Sequence, residues 1–414
     1  MNTWPRTRLT AIPALLVAGL ALAACATRQP ETSAGAARAA DTAGTIDTAS
    51  PPAPDASARS TAPVTDPLVT TYDGGLYVID GNSLRVAADI PLPGFNRVNP
   101  AGDDRHVLVS TSTGFRVLDA AAPALKDDEF PGAKPGHVVR HAGKTVLFSD
   151  GTGVVTVFDP KDLAGGLPGG ETYTSAAPHH GVAIELANGE LVTTLGTEEK
   201  RVGVQVLDRA RKEVARSEKC PGVHGEAAAK GEAVVLGCED GVLLYRNGTI
   251  RKISSPDPYG RIGNQAGSDA SAIVLGDYKT DPDAELERPE RVSLIDTESG
   301  SMRLVDLGTS YTFRSLGRGP NGEGLVLGTD GRLHVIDPER GKVVDRVEIM
   351  AEWREPLEWQ QPRPALFVRG GTAYVTDPAT RELHAVDIAS RRKLGTATLP
   401  KAPNELSGVS GIGG

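Results

Sequence analysis

A chain of 414 residues with a formal charge of −9 is a poor match for nucleic acid or an anionic lipid surface, and is compatible with cations. Its 48 glycines and 30 prolines are spread throughout, and long apolar runs of period 3.6 are missing, which excludes a mainly helical body. Histidine is scarce, eight in all, yet two stand side by side in "PHHG" at positions 178–181.

The amino end reads as an address. Arg6 and Arg8 precede a short apolar run at 14–22, and small residues lead to Cys25. This is the layout of a secretory signal, with a core too short to span a bilayer, which takes about 20 apolar residues. The closing "LAAC" resembles a bacterial lipobox, which makes residues 1–24 a signal peptide and Cys25 the lipidated first residue of the mature chain. Loss of Arg6 and Arg8 with the signal takes the charge from −9 to −11. Residues 25–65 then form a disordered tether, rich in Ala, Thr, Ser and Pro, that offers almost no bulky apolar side chain.

From residue 66 to 414 one unit recurs: a β-branched run, a small turn, then a strand ending in "V-x-D" or a variant. Copies include "LYVID" ending at Asp80, "FRVLD" at Asp119, "VQVLD" at Asp208 and "LHAVD" at Asp387, spaced about 37 to 51 residues apart. That period, with four short strands per copy, predicts an all-β domain, an eight-bladed β-propeller, with seven blades as the alternative. The first unit lacks its opening strand, and the tail at 404–414 holds a spare one, so the carboxyl-terminal strand is expected to join the first blade and close the ring.

Aligning the blades brings a second pattern into view. The starts of successive inner strands carry Asn96-Arg97, His137, His179-His180, His224, Asn264-Gln265, Arg314, Arg363 and Asn404-Glu405. In a ring these positions converge on one mouth of the channel, so His137, His179, His180 and His224 are expected to share a pocket. Imidazoles gathered this way suit zinc, usually held by four ligands. The fourth place falls to the second member of the His179/His180 pair, to Glu226 or to water. His106 and His141 occupy outer places, His334 and His384 lie within third strands at blade faces, and all four read as structural. Cys220 and Cys238 have a disulfide as their default state in an oxidising compartment, with a metal-ligand reading of Cys220, four residues before His224, as its rival.

The segments "PGHVVRHAGK", "APHHGVAIEL", "CPGVHGEAAA" and "VVLGCEDGVLLY" resemble the ABC-transporter-associated zinc metallochaperone family. The likeness is strongest over 130–250. It implies an extracytoplasmic propeller that binds zinc at His137, at His179 and/or His180, and at His224, while the lipid anchor to the bacterial cell membrane is expected from the lipobox at Cys25. It also implies a Cys220–Cys238 disulfide and delivery of zinc to the zinc-binding, solute-binding protein of an ABC importer. The chain departs from that family where "AAAPALKDDEFPGAK" holds acids but no histidine, and in a tether without histidine. The expectation is therefore a monomeric metal carrier and not an enzyme. The alternatives are a metal-dependent, lactonase-like propeller hydrolase and a metal-free binding platform.

Overall fold

The computed structural model describes residues 63–410. The expected signal peptide, Cys25 and nearly all of the tether lie outside the described residues. Contacts with the ring begin at Val64, whose amide donates to the Ala121 carbonyl at 2.8 Å, two residues ahead of the expected boundary at 66.

Eight four-stranded antiparallel sheets form an eight-bladed propeller. Blades 2 to 8 each use four consecutive strands, and their inner strands are Arg97–Pro100, Pro135–His141, Ala183–Glu185, His224–Ala229, Gln265–Ala266, Leu316–Arg318 and Ala365–Arg369. Blade 1 consists of Leu68–Tyr72, Gly75–Ile79 and Val86–Pro91, and takes its inner strand from Leu406–Gly408. The closure is antiparallel, with Leu68 opposite Gly408 and Thr70 opposite Leu406. It removes the sheet edge that an open ring would expose.

The recurring aspartate explains itself locally. Each closes the third strand of its blade, and its carboxylate accepts an amide of the following turn. Ser83 donates to Asp80, Ala122 to Asp119, Ala210 to Asp208, Glu298 to Asp296, Arg340 to Asp337 and Ser390 to Asp387, all within 3.0 Å. This is the Asx turn that favours aspartate at a strand exit.

Burial follows strand position. The two middle strands of a blade are sandwiched between neighbouring blades and are apolar on both faces, as in Ala233–Cys238, which is buried along its length. Outer strands alternate, as in Val86–Pro91. The largest apolar cluster joins blades 3, 4 and 5 through Val155, Val204, Val206 and Val234, each fully buried. Removing such a side chain from water is worth roughly 1.5–3 kcal/mol. The three blades that carry the histidines are thus locked to one another behind the channel wall. Cys220 and Cys238 are joined in a disulfide within blade 5, beside the inner strand that begins at His224.

Candidate metal centre

Two backbone devices aim the histidines. In blade 5 a β-bulge separates His224 from Glu226, with Gly225 at φ +69°. A Cβ at Gly225 would lie 2.4 Å from Gln265 Oε1, so only glycine fits the bulge that turns His224 toward the mouth. In blade 3 a second bulge lies between Pro135 and Val138. There a Cβ at Gly136 would meet Asp150 Oδ1 at 2.2 Å. The Pro/Gly framing of the histidines thus makes room for the groups that orient them.

His137, His180 and His224 come together from three consecutive blades. Their ring centroids are 5.3 Å apart for His137–His180, 5.5 Å for His137–His224 and 4.9 Å for His180–His224. Each offers a ring nitrogen within 4.8 Å of the other two. His180 Nδ1 donates to Asp150 Oδ2 at 2.5 Å, and His224 Nδ1 donates to the Gly263 carbonyl at 2.6 Å. A carboxylate and a carbonyl only accept, so in the neutral rings both protons sit on Nδ1 and both Nε2 lone pairs point inward. These two Nε2 atoms are 2.9 Å apart. Two neutral rings so held oppose lone pair to lone pair, and a cation between them removes the repulsion. The outer acceptors match the carboxylate–histidine–metal arrangement that fixes tautomer and orientation.

The electrostatics keep the nitrogens available. Burial, then the neighbouring His224 and His180, then Arg97 and Arg201, hold His137 well below the ordinary imidazole range. Burial, followed by the neighbouring His180, pushes His224 down to about 3.

The remaining expected residues are placed elsewhere. His179 is turned into blade 4, 1% exposed. Its Nδ1 donates to the Ala177 carbonyl and its Nε2 accepts from the Thr194 hydroxyl, both at 2.9 Å, while its ring meets Phe148 edge-on at 5.2 Å. Neither nitrogen is free for a metal, and the adjacent pair divides into one inward-packed and one site-facing ring. Glu226 lies outside the three-histidine group and lines a cavity of about 650 Å³ within the channel, where burial pushes its carboxyl up to about 8. Cys220 is committed to Cys238 and is no ligand. Arg314 and Arg363, two of the aligned inner-strand starts, are buried in ion pairs. Arg314 reaches Glu405 at 2.5 Å and Arg363 reaches Glu355 at 2.6 Å.

The sequence reading missed Asp150 and the Gly263 carbonyl. Asp150 belongs to the "SDGTG" turn of blade 3 and reaches across to His180 of the next blade, a relation that no spacing along the chain reveals. Two of the other histidines pair locally, His106 with Asp103 at 2.6 Å and His334 with Asp330 at 3.1 Å, whereas His141 of blade 3 reaches Glu232 of blade 5 at 2.8 Å.

No family model matches the chain. The zinc chaperone AztD of Citrobacter koseri (strain ATCC BAA-895 / CDC 4225-83 / SGSC4696) is 28% identical over 306 residues, which cover 72% of this chain and 70% of that protein. The structure of apo AztD from Citrobacter koseri superposes with a TM-score of 0.71 at 25% identity, over 83% of this chain and 98% of the other. A second crystal structure of that protein gives 0.72 at 25% identity, over 84% and 98%. The dihydro-heme d1 dehydrogenase NirN, in complex with DHE, gives 0.58 at 13% identity, over 85% and 77%, a likeness of fold alone.

Proposed function

The chain is a homologue of the zinc chaperone AztD, and from that premise we propose that it carries zinc at His137, His180 and His224 and hands it to the solute-binding protein of an ABC importer. The observation that carries the reading is the 2.9 Å approach of His180 Nε2 and His224 Nε2, both tautomers being fixed from outside by Asp150 and Gly263. Three nitrogens leave one tetrahedral position open, for water or for an incoming ligand of the acceptor. His180 is the exposed member, with 44% of its side chain open. It is the arm an acceptor meets first, and stepwise ligand exchange there moves the ion without releasing it to water. Zinc is cargo in this scheme, and the protein is a carrier and not a hydrolase.

The disulfide supports an extracytoplasmic setting. Lipidation at Cys25, with 26–65 as tether, would hold one ring near the importer at the cell membrane. The test loads the full-length apo protein with one equivalent of zinc and competes it with a chelator. Wild type is expected to bind far more tightly than a His180→Ala, His224→Ala variant. Loaded protein should also pass zinc to the purified solute-binding protein faster than it loses zinc to the chelator. Equal affinity in wild type and variant overturns the assignment.

A further inference from the structure

A second group of metal-type donors lies in blade 8, away from the three blades of the histidine cluster. Strands Thr372–Asp377 and Glu382–Asp387 form a hairpin in which Asp377 stands directly opposite Glu382. His384 follows Glu382 by two residues, so the three side chains leave the same face of the sheet. Their ligand atoms all lie within 4.8 Å of one another.

His384 distinguishes this cluster from a solvated acidic patch. It is 3% exposed, and its Nδ1 meets the Thr396 hydroxyl at 3.0 Å on the outer strand. Its Nε2 is buried without a hydrogen-bond partner. The Glu382 carboxylate stands 3.6 Å away, too far for a hydrogen bond. With bonds of about 2.0–2.1 Å, tetrahedral zinc holds its donors about 3.3–3.4 Å apart, so 3.6 Å suits two ligands of one ion better than a donor and its acceptor. The neighbouring blade gives the contrast. His334 occupies the same third place in its strand, Arg332–Asp337, and its Nε2 is closed against both oxygens of Asp330 at 3.1 Å. In blade 8 the corresponding nitrogen is open and faces two acids.

The carboxylates keep acceptor capacity. Asp377 Oδ1 accepts the Ala379 amide at 2.9 Å and the Thr380 amide at 3.4 Å, and Glu382 Oε2 accepts the Thr380 hydroxyl at 3.1 Å. Each carboxylate has about four acceptor positions. Lys393, whose charge reaches His384, is tied to the Ile349 carbonyl at 2.9 Å. Glu382 is half-buried and provides the way in.

We propose that Asp377, Glu382 and His384 form a second site for a zinc-type divalent cation, separate from the channel-mouth site and independent of it. One nitrogen and two carboxylates suit zinc and its first-row neighbours. The experiment counts bound zinc and cobalt(II) per chain by native mass spectrometry and cobalt absorption, using the metal alone as probe. Wild type is expected to hold two equivalents, and a His180→Ala, His224→Ala variant one. Glu382→Gln should remove one equivalent from both. Unchanged stoichiometry on Glu382→Gln overturns the second site, as does a channel-site variant that folds and binds nothing. A wild type and a His180→Ala, His224→Ala variant of equal stoichiometry and affinity would instead count against the channel site. If that variant does not fold, wild type against Glu382→Gln still decides. An anomalous peak at the zinc edge in soaked crystals, between these three side chains, locates the ion directly.

Discussion

Asp150 Oδ2 accepts the Nδ1 proton of His180 at 2.5 Å, from a turn one blade away. The same carboxylate accepts the Gly181 amide through Oδ1 at 3.3 Å. One acid therefore fixes both the backbone and the ring of the exposed metal-facing histidine, and its charge strengthens the imidazole as a donor.

Asp150→Ala is expected to weaken zinc binding by about 10- to 100-fold, the usual cost of removing an outer-shell acceptor. Loss of His224 should cost more, because a ligand disappears and not only its orientation. Chelator competition at fixed pH ranks the two. An Asp150→Ala affinity equal to wild type would show that the turn does not orient the site.

His179→Ala is expected to leave zinc affinity within about twofold of wild type. It should lower stability by about 1–3 kcal/mol, since the buried Thr194 hydroxyl is left with only the longer 3.3 Å contact to the Val182 carbonyl and Phe148 loses its ring neighbour. Denaturant unfolding and zinc competition on the same variant separate the roles of adjacent histidines. A large affinity loss without a stability loss would reverse them.

That separation shows what was legible in the sequence. The blade count came from the recurring third strand, which in seven of the eight blades ends in an aspartate that starts the following turn; blade 5 ends in Arg246-Asn247 instead. The convergence of His137, His180 and His224 followed from ring geometry once the repeats were aligned. Which member of "HH" faces the channel did not follow. Adjacent residues point to opposite sides, and the choice was made by a pocket of Thr194, Phe148 and the Ala177 carbonyl that forms only on folding. Asp150 escaped for a similar reason, since its partner belongs to another blade. Arg314 and Arg363 lie at the aligned starts as expected. Their pairing with Glu405 and Glu355 depends on ring closure and on the loop before blade 8, and neither has a local signature.

The titration of the cluster is expected to be lopsided. His137 is held well below the ordinary imidazole range and His224 at about 3, both chiefly by burial. Three unperturbed imidazoles at pH 6 would release about two protons on binding zinc. This cluster should release no more than one, as read from calorimetry in buffers of different ionisation enthalpy. The same depression makes the unfolded chain bind more protons than the folded one. The associated stability is fully present above about pH 6.5 and is lost as pH falls toward 3. Release of two or more protons would contradict this account.

The Cys220–Cys238 bridge closes a loop of sequence separation 18. On the chain-entropy model such a loop is worth roughly 3 kcal/mol. A Cys220→Ala, Cys238→Ala variant should lose about that much in equilibrium unfolding, and reducing agent should do the same to wild type. A variant as stable as wild type would mean that blade 5 is set by packing alone.

Ring closure supplies the last test, through Glu405. This residue leads into the closing strand, and its carboxylate meets Arg314, itself 8% exposed. Arg314 also donates to the Asn404 carbonyl at 3.1 Å, so one guanidinium ties the inner face of blade 7 to the carboxyl-terminal segment. Burial lowers Arg314 to about 10 despite its partner, which shows a charge that the fold desolvates heavily. Breaking such a pair from one side leaves an uncompensated buried charge and costs about 3–5 kcal/mol. Glu405→Gln, which keeps the strand and its backbone pairing, is therefore expected to destabilise by about that amount. Replacing both partners with apolar residues, Glu405→Leu with Arg314→Met, should recover most of the loss, because the buried pair is then gone and Arg97, 3.8 Å from Glu405, has 42% of its side chain in water. Should the double variant be no more stable than Glu405→Gln, the pair would be joining the ends of the ring through its geometry and not through compensation of charge.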